Sequence, residues 1–417
     1  PDAPRQRPRH WRYWQALPPR GRIGVMLGSW YTQPIVESAF RRLSAQGLER
    51  ELRYIADLEE MLTRDGVLVV KLWLHLPKKQ LEKLLKRDAA GKSRRHLLTP
   101  NARKFAKRYD RFVAACDQVF AVTDTPACRW YPIDAQDPRH RELTAGEIVL
   151  RSFQQRLGGI GAPEPAPPPD RAPPEVGHRA FSVLDRVDLD ASLDRATYER
   201  KLTRLQRQLY ELGWRAYDEG ASLIGAFEGW DAAGKGGAIR RLSAGLDARL
   251  NRVISIGAPS DEERAHHYLW RFWRHLPTAG YSIVFDRSWY GRVLVERVEG
   301  LASAAEWQRA YQEINSFESL LVDDGVALLK FWLHIDQQEQ LERFEARQKT
   351  PWKQHKITPE DWRNRERWKD YESAVEDMVA LTSTDAAPWT IVPANDKLHA
   401  RIAVLEHVCE AFQRMLR

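Results

Sequence analysis

Long apolar runs are missing from this sequence. No stretch of 18 or more apolar residues occurs among the 417, which excludes a membrane-spanning helix. Cysteine is scarce: Cys116, Cys128 and Cys409 are an odd set of three with none of the pair spacings of a zinc site. That excludes a disulfide scaffold and suits a reducing cytoplasm. The first residues, PDAPRQRPRHW, carry no apolar stretch of the kind a secretion signal needs, so a cytoplasmic location is expected. An acidic excess is absent too, since 65 Lys and Arg outnumber 57 Asp and Glu, for a net charge of +8 and a pI near 9.3. This balance is compatible with a polyanionic partner and does not demand one. What is present, 43% apolar and 29% charged residues, is the composition of a soluble globular protein. The length exceeds one ordinary core and points to two domains.

The chain contains itself twice. WRYWQALPPRG at Trp11–Gly21 matches WRFWRHLPTAG at Trp270–Gly280. SWY recurs at Ser29–Tyr31 and Ser288–Tyr290, and KLWLH at Lys71–His75 answers KFWLH at Lys330–His334. Every pair is offset by 259 residues, and Trp11–Leu76 against Trp270–Ile335 has 25 identities in 66 ungapped positions. LTP at Leu98–Pro100 meets ITP at Ile357–Pro359 at the same offset. Between the copies, 158–177 read GGIGAPEPAPPPDRAPPEVG, too rich in Pro for helix or central strand and suited to an extended linker. The expected organisation is a first repeat over 1–157, the linker over 158–177 and a second repeat over 178–417. The counterpart of Lys235 falls before residue 1, so the first repeat is expected to be entered in its middle.

In the second repeat, apolar residues at Tyr198, Leu202, Leu205, Leu209 and Leu212 mark one face of a helix. Short apolar runs follow, ASLIGAF, NRVISIG, YSIVFD and VALLKFWLH, each trailed by a charged segment of helical period. This alternation predicts a parallel sheet covered by helices on both faces.

The stretch FEGWDAAGKGG after the first run has phosphate-loop spacing in Gly229, Gly234 and Lys235, with Gly236 where a Ser or Thr usually holds magnesium. A glycine loop between a buried strand and a helix aims backbone N–H groups at phosphate oxygens, and Lys235 adds a point charge. Asp231 lies inside the loop, where a carboxylate repels phosphate unless it binds a metal or orients an acceptor; capping the following helix is its plainer use. Asp286 ends the strand YSIVFD, the place of a metal-binding carboxylate in phosphate-loop enzymes, and Arg287 and Arg292 follow at the same rim. Ligands of such sheets sit at the carboxyl ends of the strands, where Asp231 and Asp286 meet. The segment Arg343–Trp362 carries Arg343, Arg347, Lys349, Lys353, His355 and Lys356 between helices, the make-up of a lid closing on phosphates, or of a solvated face. His266 and His267 are adjacent and read as structural, and the 16 tryptophans read as core anchors.

GWDAAGKGG, FDRSWYGR, the basic segment ending KITPEDW and APWTIVPANDKLHAR, in that order, resemble polyphosphate kinase family 2 across Thr197–Arg417. The resemblance implies a P-loop kinase of thymidylate-kinase type, a three-layer α/β/α fold with a helical lid, here duplicated in tandem. It also implies inorganic polyphosphate as phosphoryl donor. The two-repeat arrangement is similar to the subgroup that converts AMP to ADP. Carried over, the family roles place Asp231, Lys235, Asp286, Arg287 and Arg347 in the active site, with Mg2+, or Mn2+, between the two carboxylates. Gly229, Gly234, Gly236, Arg292, Arg343, Lys349, Lys353 and Lys356 are then expected to contact phosphate. No membrane or nucleic-acid partner is expected, and the Trp-rich surfaces suit a homo-oligomer.

The first repeat departs from the pattern. Asp286–Arg287 become Leu27–Gly28, while Trp11, Pro18, Gly21 and Trp73 are kept, so this copy is expected to be catalytically silent and to serve packing or polyphosphate capture. Three rivals stay open. An ATP-dependent nucleotide kinase predicts a Ser or Thr where Gly236 stands. Polyphosphate-driven phosphorylation of nucleoside diphosphates differs only in the acceptor. A non-catalytic polyphosphate- or nucleic-acid-binding protein accounts for the charge but leaves Asp231 and Asp286 without a use.

Overall fold

The apolar runs form parallel strands, and the strands group into two sheets, one in each of two units. The structure, a computed structural model, describes residues 7–89, 102–158 and 182–417. Most of the predicted linker and the LTP counterpart lie outside them. The units are Arg20–Asp170, and Pro1–Pro19 together with Arg171–Arg417.

In the smaller unit, β1 (Lys71–His75) pairs in parallel with β2 (Trp130–Asp134), Lys71 opposite Trp130. The helix Ala45–Arg64, capped by Ser44, buries Leu48, Leu52, Ile55, Leu58 and Leu62 at helical spacing. The counterpart of a strand of the larger unit, Ile23–Leu27, forms no strand, and Ile23, Val25 and Leu27 are 72%, 90% and 102% exposed. In the larger unit that strand is held between two others whose counterparts, by the 259 offset, fall before residue 1.

The larger unit has a five-stranded parallel sheet from β3 (Ser222–Gly229), β4 (Asn251–Ser255), β5 (Ser282–Asp286), β6 (Val326–His334) and β7 (Trp389–Pro393), in the order β4-β5-β3-β6-β7. The helices Arg195–Glu219, Lys235–Gly245 and Lys397–Met415 pack on one another and cover one face, while Ala304–Asp323 packs on β6. This is the expected three-layer arrangement. The central strand β3 is buried along seven of its eight residues, as a strand covered on both faces must be.

Residues 7–19, placed in the first repeat by their sequence match, pack within this larger unit. Trp14 of the short helix Trp11–Ala16 stacks on Trp273 at 5.4 Å and 12°. These are equivalent positions of the repeat, one covering the other.

The SWY and K-x-W-L-H motifs have a structural explanation that recurs in both units. Lys330 is fully buried, pairs with Glu318 at 2.7 Å and donates to the Thr382 carbonyl at 2.6 Å; Trp289 and Tyr290 donate to the same carboxylate. In the smaller unit Lys71, Glu59, Thr123, Trp30 and Tyr31 repeat every bond, with the lysine distances again 2.7 and 2.6 Å. A buried charge is tolerated only when paired and hydrogen-bonded, so each member of the cluster depends on the others. His267 sits buried against Glu313, and half-buried His266 stacks on Trp270, structural uses of both. The three cysteines are buried and unpaired. Among the described residues no helix is long and apolar enough to cross a membrane.

Candidate active site

The site grows from the carboxyl end of β3. Gly229 has φ 147, and a Cβ there would stand 2.5 Å from the Leu333 carbonyl of β6, so only glycine allows the two strand ends this close. The chain then turns through Ala232 (φ 63) and Gly234 (φ 108), and the loop helix begins at Lys235. Around a Cβ added at Gly236, nothing lies within 4 Å, so the helix entrance is open.

Lys235 folds back over the loop and donates to the carbonyls of Gly229 and, at 3.2 Å, Trp230. Burial pulls its ammonium below the ordinary lysine range, with Arg287 adding to this and Asp231, Glu228 and Asp286 opposing it. Asp286 ends β5 in register with Phe227 of β3, which brings it to the same edge. Arg287 N–H donates to the Phe227 carbonyl at 3.1 Å, and its guanidinium faces Asp231 at 3.5 Å. Arg287 adopts φ 64, a left-handed conformation that costs a non-glycine residue roughly 1 kcal/mol or more. Its repeat counterpart, Gly28, has φ 78. The fold thus keeps a glycine-type turn at this point, and the second repeat seats an arginine in it.

Opposite the loop stands the lid, made of the helix Gln337–Lys349, the turn Pro351–Lys356 and the helix Pro359–Glu366. Asn364 Nδ2 donates to Asp231 Oδ2 at 3.0 Å, and Gln340 Nε2 to the Asp231 carbonyl at 3.2 Å. The lid's second helix is clasped by Glu299, which pairs with Arg363 at 3.1 Å and Arg367 at 3.5 Å. Between loop and lid lies a cleft whose walls include Lys235, Arg287, Val295, Glu360 and Tyr371. Trp230 forms its floor and is itself fixed: it stacks on Trp368 at 3.7 Å and donates to His334 Nδ1 at 3.1 Å.

A family model described as Polyphosphate kinase 2 matches residues 2–157 and 192–417. The chain belongs to the polyphosphate kinase 2 family. It is 43% identical over 412 residues to a polyphosphate:AMP phosphotransferase of Pseudomonas aeruginosa, covering 99% of this chain and 83% of that one. One from Acinetobacter johnsonii is 37% identical over 403 residues, with 95% and 80% covered. A GDP-polyphosphate phosphotransferase of Mycobacterium tuberculosis is 40% identical over 232 residues, 56% of this chain and 77% of that one. Among solved structures, a Pseudomonas aeruginosa PA01 protein assigned to polyphosphate kinase 2 superposes with a TM-score of 0.85 at 42% identity, covering all of this chain and 82% of that one.

Within this polyphosphate kinase 2 fold, Asp231, Lys235, Asp286 and Arg287 come together. Two predicted phosphate contacts are engaged elsewhere. Arg343 is 5% exposed, and its guanidinium spends Nη1 on the carbonyls of Ala232 (2.8 Å) and Ala233 (3.0 Å). Its Nη2 serves Ala394 and Asn395 (both 2.7 Å), and its Nε bonds Glu339. All five donors are engaged, two of them on the loop, so none is left for phosphate. Arg292 lies over the Tyr268 ring and pairs with Glu296 at 3.1 Å, with Glu306 at 3.9 Å. Arg347 and Lys349 occupy the last turn of the first lid helix, and Lys349 pairs with Glu345 at 3.4 Å. Lys353 and Lys356 belong to the turn after it, where Lys353 is exposed.

Sequence reasoning passed over Glu228. It is 6% exposed and lines the cleft, and one carboxylate oxygen accepts both the Ser288 N–H (2.7 Å) and the Ser288 hydroxyl (2.8 Å). Burial raises its pKa, while Lys235, the Ser288 bonds and Arg287 act to lower it. The signal was an acid ending an apolar strand, in the same position that singled out Asp286.

Proposed function

We propose that the chain transfers the terminal phosphoryl group of inorganic polyphosphate to AMP, forming ADP. The observation that carries this reading is Arg287, held in a left-handed turn against Asp231 and beside Lys235, at a rim where the first repeat has Leu27–Gly28. Strain retained at one point, with two cations and two carboxylates converging on it, suits a site built for a charged transition state. The near full-length relatives named for polyphosphate and AMP support the donor and the acceptor.

The terminal phosphoryl sits over the loop, its oxygens facing backbone N–H groups at the entrance of the loop helix. Lys235 releases its loop carbonyls to meet those oxygens, and Arg287 neutralises charge from the other side. AMP enters the cleft beneath the lid, and Asp231, steadied by Asn364, orients its phosphate for in-line attack. The transition state is loose and highly charged, so positioning and cation contacts supply most of the catalysis. Arg347, at the end of the first lid helix, closes over the donor.

Kinases of this family generally need a divalent cation. The donor set fits a hard one: Asp231 and Asp286 offer carboxylate oxygens at one rim, and among the described residues no cluster of three or more metal-ligating side chains occurs. Mg2+ characteristically takes one or two carboxylates and completes its shell with substrate phosphates and water, and we assign it, or Mn2+, to these two residues. When bound, it neutralises charge on the transferring phosphoryl group.

Incubation with long-chain polyphosphate, Mg2+ and AMP, ADP or GDP in turn tests the reading, with ADP from AMP as the expected main product. Lys235→Ala is expected to lower kcat about 10²–10³-fold. We also assign no turnover to the first repeat, so Asp286→Asn in the full chain should remove all phosphoryl transfer. Substantial residual turnover there would return activity to the first repeat.

A further inference from the structure

Asp231 meets the lid twice, and both contacts are made by side-chain amides. Asn364 Nδ2 donates to its carboxylate at 3.0 Å, and Gln340 Nε2 to its carbonyl at 3.2 Å. Each amide is in turn held by its oxygen. The Tyr371 hydroxyl donates to Asn364 Oδ1 at 3.3 Å, and Arg365 Nη1 to Gln340 Oε1 at 3.2 Å. An amide can present either end to a neighbour, and a carboxylate only accepts, so a donor fixed on the oxygen leaves the N–H group for Asp231. Burial, then the carboxylates of Glu299 and Asp231, keeps the Tyr371 hydroxyl above the ordinary tyrosine range, so it stays protonated and able to donate.

Tyr371 and Asn364 stand on different elements. Asn364 belongs to the lid helix Pro359–Glu366, whereas Tyr371 belongs to the helix Trp368–Thr382, one turn past the Trp368 that stacks on Trp230. That second helix is anchored by buried Ala374, Val375 and Met378. Asn364 therefore docks between a fixed helix and the phosphate loop. The first repeat shows what the same positions need for packing alone. At the 259 offset Asn364, Tyr371, Gln340 and Glu299 become Phe105, Phe112, Leu81 and Phe40, all apolar. Phe105 meets Phe112 at 5.3 Å and Phe40 at 5.7 Å, both edge-on, and Arg108, the counterpart of Arg367, lies over the Phe40 ring at 4.3 Å. Rings fill this corner in the copy that also lacks Asp286 and Arg287. Packing alone does not call for the amide and the hydroxyl that the second repeat keeps there.

We propose that Tyr371 is a positioning residue for phosphoryl transfer: through Asn364 it orients Asp231 as the lid helix settles over the loop. Lid closure and the orientation of Asp231 are then one event. The inference rests on Asp231 serving the transfer proposed above. Tyr371 also lines the cleft, so direct contact with the acceptor is the competing use, and that use predicts a changed KM for AMP.

Tyr371→Phe deletes one oxygen, and the first repeat accommodates Phe at this position. In the full chain, with long-chain polyphosphate and AMP, kcat should fall about tenfold while the KM for either substrate moves less than about twofold. Asn364→Ala should lower kcat at least as far. Adding Tyr371→Phe to it should cost no more than about a further twofold, because the group that Tyr371 holds is already gone. Amide exchange across Pro359–Glu366, followed without substrates, should quicken in both single variants and no further in the double. A Tyr371→Phe kcat within about twofold of wild type, a full second loss in the double variant, a KM for AMP that rises with kcat intact, or unchanged exchange over the lid helix would each overturn the assignment. A wild-type chain that makes no ADP from AMP and polyphosphate overturns the proposed function instead. Exchange over the lid helix reads the Tyr371–Asn364 contact without turnover, so the two failures are distinguishable.

Discussion

Arg287 is expensive where it sits. Its left-handed backbone is held by its own N–H on the Phe227 carbonyl and by the next residue, Ser288, whose two donors both end on Glu228. We propose Glu228 as a positioning residue that acts on the phosphates through Arg287. Replacing it by Leu should lower kcat about 10–100-fold. Made on top of Arg287→Ala, the same change should cost no more than about threefold, because the group it positions is already gone. Fully additive losses in this double-mutant cycle would show Glu228 acting independently of Arg287. Glu228→Gln, which keeps an acceptor for both Ser288 donors, should recover much of the rate.

At the scale of elements, the phosphate loop is braced by the lid helix as well as by its own turn. Arg343 ties that helix to two loop carbonyls and to the two residues after β7, joining three elements through one guanidinium. Arg343→Leu leaves four carbonyls and Glu339 without their donor, and should destabilise the protein by about 3 kcal/mol or more. The check is denaturant unfolding, with the melting temperature falling in parallel. A stable variant that only raises the KM for polyphosphate would restore the phosphate-binding reading of this residue. Helical spacing alone could not separate Arg343 from Arg347. Both are basic residues of the same helix, and which one turns inward depends on the carbonyls that β7 and the loop bring to it.

For the molecule as a whole, two buried histidines set the response to acid. His10 and His334 are each pushed down to about 4, chiefly by burial; Arg9 and Arg12 add to the effect at His10, while His334 takes Trp230 Nε1–H on its Nδ1. Both pKa values are lower in the folded chain than in the unfolded one. The unfolded chain therefore binds more protons below its histidine range, and stability falls as pH drops from about 6.5 toward 4. The expected loss by pH 5 is about 2 kcal/mol for each residue. Unfolding midpoints measured between pH 7 and pH 5 check this, and a flat profile would contradict the neutral assignment. His10 belongs to a segment whose sequence matches the first repeat but whose core contacts lie in the larger unit, so both histidines report on the same core.

The repeat, the parallel α/β alternation, the glycine loop and the place of Asp286 at the end of β5 were all determined by the sequence itself. The physical reason is that each is written in local spacing: a 259-residue offset, apolar runs of strand length, glycines that permit a turn, and an acid at a strand end. Tertiary structure alone decided which charges were spent on the fold. Lys330 and Glu318 pair inside the core, Arg292 is held by Glu296, and Arg343 is consumed by four carbonyls. It likewise set Glu228 on the two donors of Ser288, next to Arg287. A side chain's use follows from the donors and acceptors that distant segments bring within 3 Å of it, and one-dimensional spacing carries no record of those.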